Sequence, residues 1–145
     1  MLLTALGSAA CGPSAPSTEA SPVPPGATAS PVPPSTAVLV ADGTARDNLP
    51  LFAATVESVW ASGTSSGRAY VDALSAVGFD RAAMQVTADR TTIGDPAESV
   101  QFSVRWRGEC LVGQIGPATG GPVTAVMPSL DGDRCLVGET RVIDW

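Results

Sequence analysis

The sequence contains no histidine and no lysine, and these absences close most of the usual routes to enzyme chemistry. Histidine is the commonest general base, the commonest transition-metal ligand and the partner of serine or cysteine nucleophiles. Lysine is the residue of Schiff-base catalysis. Charge is sparse as well: 14 acids stand against 8 bases, every base is arginine, and the net charge is −6. An acidic chain without a basic cluster argues against nucleic acid and against docking on anionic lipid headgroups.

What is present begins with an address. Met1 to Ala10 is apolar or small and uncharged, and it stops at Cys11 followed by Gly12. A short apolar run, small residues and then cysteine is the pattern of a lipoprotein signal, in which the cysteine is lipidated. Ten residues are too few to span a bilayer. Two features depart from the pattern: no arginine or lysine precedes the run, and Ser8 stands where leucine is usual. Residues 1–11 are therefore read as a lipoprotein-type signal, with Cys11 the expected lipid attachment point. The expected location is the outer face of the cell membrane. Ordinary signal cleavage, giving a secreted chain, is the alternative.

From Gly12 to Thr36 the composition changes to Pro, Ser, Ala and Thr, and eight of the chain's 13 prolines fall here. Ser-Pro-Val-Pro-Pro occurs at Ser21–Pro25 and again at Ser30–Pro34. Such a segment lacks the apolar surface needed to offset the entropy of ordering. It reads as a disordered, polyproline-type stalk, about 75 Å long if fully extended at roughly 3.1 Å per residue. A tether explains it better than a proline-rich ligand for a partner domain does.

Residues 37–145 carry the pattern of a folded domain. Ala37–Val40 suggests an edge strand. Asp47 or Asn48 is placed to cap a helix whose first turn tolerates Pro50 and whose stripe is Leu49, Phe52, Ala53, Val56, Val59 and Trp60, ending at Gly63. A second helix is predicted over Gly67–Val77, with Tyr70, Ala73, Leu74 and Val77 on its buried face and Gly78 at C′. Strand signals follow. Met84, Val86 and Ala88 alternate with polar residues. Then Val100, Phe102, Val104 and Trp106 are predicted inward, with Gln101, Ser103, Arg105 and Arg107 outward. A hairpin at Gly108-Glu109 leads to a strand at Cys110–Ile115. Beyond the Gly116–Pro122 loop come Val123–Met127, a turn at Asp131–Asp133, and a closing strand from Cys135. The expected architecture is α+β: two N-terminal helices on one face of a mainly antiparallel sheet of four to five strands.

Candidate sites are few. Cys110 and Cys135 each open Cys-Leu-Val-Gly, and in an exported chain they are expected to form a disulfide. Asp131-Gly132-Asp133 lacks the later acids of a calcium loop and reads as a turn, so no metal and no cofactor is expected. Trp60 and Trp106 belong to apolar stripes and read as core, and Trp145 as packed against its edge. Gln101, Ser103, Arg105 and Arg107 form a possible ligand face if the helices cover the other side of the sheet. Glu109, Asp131, Asp133, Glu139 and Asp144 fall near strand ends, where a pair of carboxylates could act on a glycan, but their spacing selects no pair.

Several segments carry a resemblance: Asp42–Phe52, Val77–Asp80, Gln85–Thr91, Val100–Trp106, Cys110–Gln114 and Cys135–Trp145. From Asp42 onward the chain resembles an actinobacterial domain family of unknown function found in lipoproteins. The resemblance implies an exported setting and the disulfide, and it brings no activity, substrate or catalytic residue. The leading functional expectation is a non-enzymatic, membrane-tethered module of the cell envelope. It would bind a protein or wall component through the polar sheet face or the Gly116–Pro122 loop. A small carboxylate hydrolase acting on glycans and an exported protease inhibitor are the alternatives.

Overall fold

The structure is a computed structural model and describes residues 36–145. Cys11, the expected signal and the stalk up to Ser35 lie outside the described residues. Ala37–Val40 is not a strand. Its place in the fold is set by the buried side chain of Asn48, whose Oδ1 accepts from the Val40 N–H and whose Nδ2 donates to the Val40 carbonyl. One amide thus supplies the donor and acceptor that a neighbouring strand would have offered.

Helix α1 (Ala45–Ala61) starts earlier than expected, because Thr44 rather than Asp47 or Asn48 is its N-cap. Thr44 Oγ1 accepts from the Asp47 N–H, and the Asp47 carboxylate accepts from the Thr44 N–H, a capping box. Pro50 consequently falls inside the helix instead of in its first turn. The carbonyl deprived of a partner belongs to Arg46, an exposed residue that water can reach. Helix α2 (Gly67–Ala76) ends as its sequence predicts. Gly78 is left-handed, its N–H donates to the Ser75 carbonyl, and the Phe79 N–H donates to the Leu74 carbonyl. Val71 is buried on this helix, whereas Val77 is 38% exposed and does not belong to the core face.

Four strands, β1 (Met84–Val86), β2 (Val100–Trp106), β3 (Glu109–Ile115) and β4 (Val123–Pro128), pair antiparallel in sequence order. The β2–β3 turn is Arg107-Gly108, one residue earlier than predicted, with positive φ at both positions. The inner face carries Val86, Phe102, Val104, Leu111 and Ile115, buried against Phe52, Val56, Tyr70 and Leu74 of the helices. Tyr70 stacks on Phe102 at 4.6 Å between ring centroids. That stack has room because the residue opposite Phe102 on β3 is Gly113, where a Cβ would overlap the Phe102 ring. The α+β architecture is as the sequence leads one to expect.

The disulfide forms between Cys110 and Cys135, with Cα atoms 5.6 Å apart. Cys135 does not begin a strand, however. The closing segment is irregular and meets the sheet edge through an isolated bridge between Thr140 and Thr87 and a bond from the Arg141 N–H to the Val86 carbonyl. Above the sheet, Gln85 Oε1 accepts from the N–H groups of both Cys135 and Leu136. No helix among the described residues is long and apolar enough to cross a membrane.

The domain has two distinct ends. The described chain arrives beside the β2–β3 hairpin, where the Trp106 indole donates to the Gly43 carbonyl and Arg107 donates to the Ala41 carbonyl. The seven residues of β2 run from there to Val100, about 20 Å away at roughly 3.3 Å per residue. Helix α1 traverses the same length, so its C-terminus and the N-terminus of α2 share the far end with Val100 and Ile115.

Candidate functional site

The far end holds a cleft of about 420 Å³, within the usual size of a small-molecule site. Val100 and Ile115, both buried core residues, form its floor. Its walls come from three connections. Ser65 and Ser66 lie between the helices, Asp89, Arg90, Pro96 and Ala97 lie on the β1–β2 excursion, and Gly116 and Pro117 follow β3. The loop at Gly116–Pro122 folds tightly here, with a 3₁₀ turn at Pro117–Thr119. Gly116 itself is pressed on the Glu98–Ser99 backbone, leaving no space for a side chain.

Asp89 organises the cleft rather than facing it freely. Its Oδ1 accepts from the Gly67 N–H at 2.7 Å, capping α2 where Ser66 makes no side-chain cap. Its Oδ2 lies 3.2 Å from Nη2 of Arg141, a charge contact without hydrogen-bond geometry. The Arg141 guanidinium also stacks over Trp145 at 4.8 Å, with Arg68 at 5.3 Å from the same ring. Arg90 donates one guanidinium N–H to the Gly94 carbonyl. The hydroxyls of Ser65 and Ser66 have no hydrogen-bond partner among the described residues.

A second, smaller depression of about 150 Å³ shares Ser65 with the cleft and is walled by Trp60, Gly63 and Thr64. Trp60 is only partly buried. The other two tryptophans commit their indole N–H groups internally, Trp106 to the Gly43 carbonyl and Trp145 to Oδ1 of Asp72. Trp60 has no such acceptor among the described residues. No local signal announces this, because Trp60 continues the apolar stripe of α1 and packs partly against the core while also lining the depression.

The residues singled out on the outer sheet face do not converge. Ser103 is 1% exposed and its hydroxyl finds no partner. It is paired with Gln85, over which the closing segment lies, so this part of the face is covered. Gln101 donates to Gln114 across the sheet. Arg105 pairs with Asp133 at 2.8 Å, while Arg107 sits in the hairpin turn and reaches Ala41 and Asp42. The five carboxylates considered for acid–base work, Glu109, Asp131, Asp133, Glu139 and Asp144, lie away from the cleft lining. Among the described residues no group of three metal-ligating side chains comes together.

The model of a family described as a domain of unknown function, DUF6993, matches residues 56–139 of this sequence. The chain belongs to that family. No curated protein and no solved structure matches it. The DUF6993 match contains both cysteines of the disulfide and every residue that lines the two depressions. Outside it fall the start of α1 with Asn48, and Arg141 and Trp145 of the closing segment.

Proposed function

We propose that this protein is a non-enzymatic binding module of the cell envelope, tethered to the outer face of the membrane through Cys11 and a proline-rich stalk, with the far-end cleft as its receiving surface. The observation that carries the reading is the opposition of the two ends. The described chain enters beside the hairpin, and the cleft lies about 20 Å away at the other end of β2. A disulfide between two cysteines of matching context suits an oxidising compartment. The cleft contains one carboxylate, Asp89, and both of its oxygens are engaged within the fold. That favours recognition over acid–base chemistry. The partner is a protein or wall component of the envelope, and this acidic chain takes no nucleic acid.

Two measurements test the reading together. Intact mass of the membrane-extracted protein should show a diacylglyceryl adduct at Cys11. A photoreactive residue replacing Ser65 should give crosslinked adducts in intact cells that fractionate with the envelope, whereas one replacing Asp131, near the hairpin, should not. An unmodified protein in the cytosol, or equal crosslinking from both positions, would overturn the proposal.

A further inference from the structure

Resting on that reading, we infer that the cleft and the Trp60 depression form one groove for a neutral wall glycan, with the indole of Trp60 as the platform for a sugar ring. A pyranose offers an apolar face of C–H bonds and a rim of hydroxyls. Its receptor therefore needs an aromatic surface beside small polar groups. Trp60 provides the surface, and it is the tryptophan whose indole N–H has no internal acceptor among the described residues. Ser65 lines both depressions, and Ser66 stands beside it with a hydroxyl that likewise has no hydrogen-bond partner among the described residues. Arg90 retains guanidinium donors beyond the one spent on Gly94. The shared wall at Ser65 makes the groove longer than either depression alone, which suits a chain of sugars rather than a single one.

Charge selects a neutral glycan over an anionic polymer. The protein carries −6, the lining of the groove holds one cation, Arg90, and one anion, Asp89, and Asp95 and Glu98 are the sequence neighbours of the lining residues Pro96 and Ala97. A polyphosphate would be repelled before it arrived. A neutral sugar chain meets no such barrier, and its hydroxyls can use both the serine hydroxyls and the arginine donors.

The test uses the full chain and a soluble β-1,4-linked N-acetylglucosamine tetramer, followed by two-dimensional NMR of the amide and indole N–H signals. Saturable shifts are expected at the Trp60 indole, Thr64–Ser66, Arg90 and Ala97, while the Trp106 and Trp145 indoles stay in place. Trp60→Ala should weaken binding at least tenfold in a protein whose other signals are unmoved, and Trp60→Phe should restore part of it. No saturable shift at these residues, shifts centred elsewhere, or undiminished binding in a folded Trp60→Ala would overturn the glycan assignment. Envelope adducts from Ser65 that persist while the tetramer fails would overturn the glycan alone. Loss of those adducts would overturn the module reading beneath it.

Discussion

The Gly67 N–H donates to Oδ1 of Asp89 across 22 residues of sequence, and it does so at the mouth of the cleft. The bond joins the start of α2 to the excursion between β1 and β2. Asp89 thereby does for α2 what an N-cap side chain would do, while its other oxygen balances Arg141 from the closing segment. Asp89→Ala should cost about 1–3 kcal/mol, combining a lost cap with a partly buried arginine left unpaired. Asp89→Asn keeps an acceptor for Gly67 and should cost less than half of that. Urea denaturation of the two variants checks the ordering, and equal losses would mean that the charge, not the cap, matters.

Asn48 is completely buried and makes three hydrogen bonds, accepting from Val40 and donating to the Val40 and Thr44 carbonyls. Asn48→Ala strands the N–H and carbonyl of Val40 where a strand partner is missing. The expected cost is about 2–3 kcal/mol. Hydrogen exchange at the Val40 amide should speed up well before the core amides do. Asn48→Asp should be no better, because the acid loses both donated bonds and buries charge.

Acid should weaken the fold through two carboxylates. Hydrogen bonds from the Thr44 backbone and hydroxyl hold Asp47 below the ordinary carboxylate range. At Asp72 partial burial pushes upward, but Arg81, the Trp145 indole and Arg68 together outweigh it and lower the value. A carboxyl with a lowered pKa in the folded state stabilises the protein above its unfolded value. That stability is lost as pH falls through the folded value. Stability should therefore be flat near neutrality and decline below about pH 4. Asp72→Asn should flatten part of that decline. A variant with the acid limb of the wild type would show that Asp72 contributes nothing to it.

These residues also show how far the sequence could be read. The stripe of α1, the Gly78 stop and the alternation of Val100–Trp106 are periodic, and periodic segments fold as their pattern dictates. Ala37–Val40 and the stretch after Cys135 look like strands in composition, but their backbones are met by side chains, Asn48 and Gln85, whose distant positions no local pattern announces. Burial of Ser103 has the same origin, since it depends on a segment some thirty residues downstream crossing above it. The cleft was least legible of all. Its residues come from three separate connections made of serine, proline, glycine and single charges, a composition shared by most loops.

The disulfide closes a separation of 25 residues and secures a segment that has no regular secondary structure of its own. Replacing Cys110 and Cys135 together with alanine should destabilise the domain by about 3 kcal/mol by the chain-entropy argument. The change should be felt unevenly. Exchange of the Arg141 amide, bonded to the Val86 carbonyl, should accelerate before that of amides in β2 and β3. Uniform acceleration would mean that the bridge stabilises the domain only globally.

Gly113 offers the sharpest test of the core. It faces Phe102 across β2 and β3, and Phe102 is wedged between that bare backbone and the ring of Tyr70. A methyl group at position 113 would occupy the space of the Phe102 ring, and a fully buried aromatic has little freedom to withdraw. Gly113→Ala would otherwise be a favourable change in a strand, because alanine gives up less backbone entropy on folding. The clash should win: overpacking of this kind costs about 1–3 kcal/mol, several times the entropic gain. Near-ultraviolet circular dichroism should report a disturbed Tyr70–Phe102 stack. Phe102→Leu added to Gly113→Ala should recover part of the loss, since the smaller side chain vacates the space the methyl needs. An unaltered melting temperature in Gly113→Ala would show that the sheet relaxes around the methyl and that the glycine is not required by the packing of Phe102.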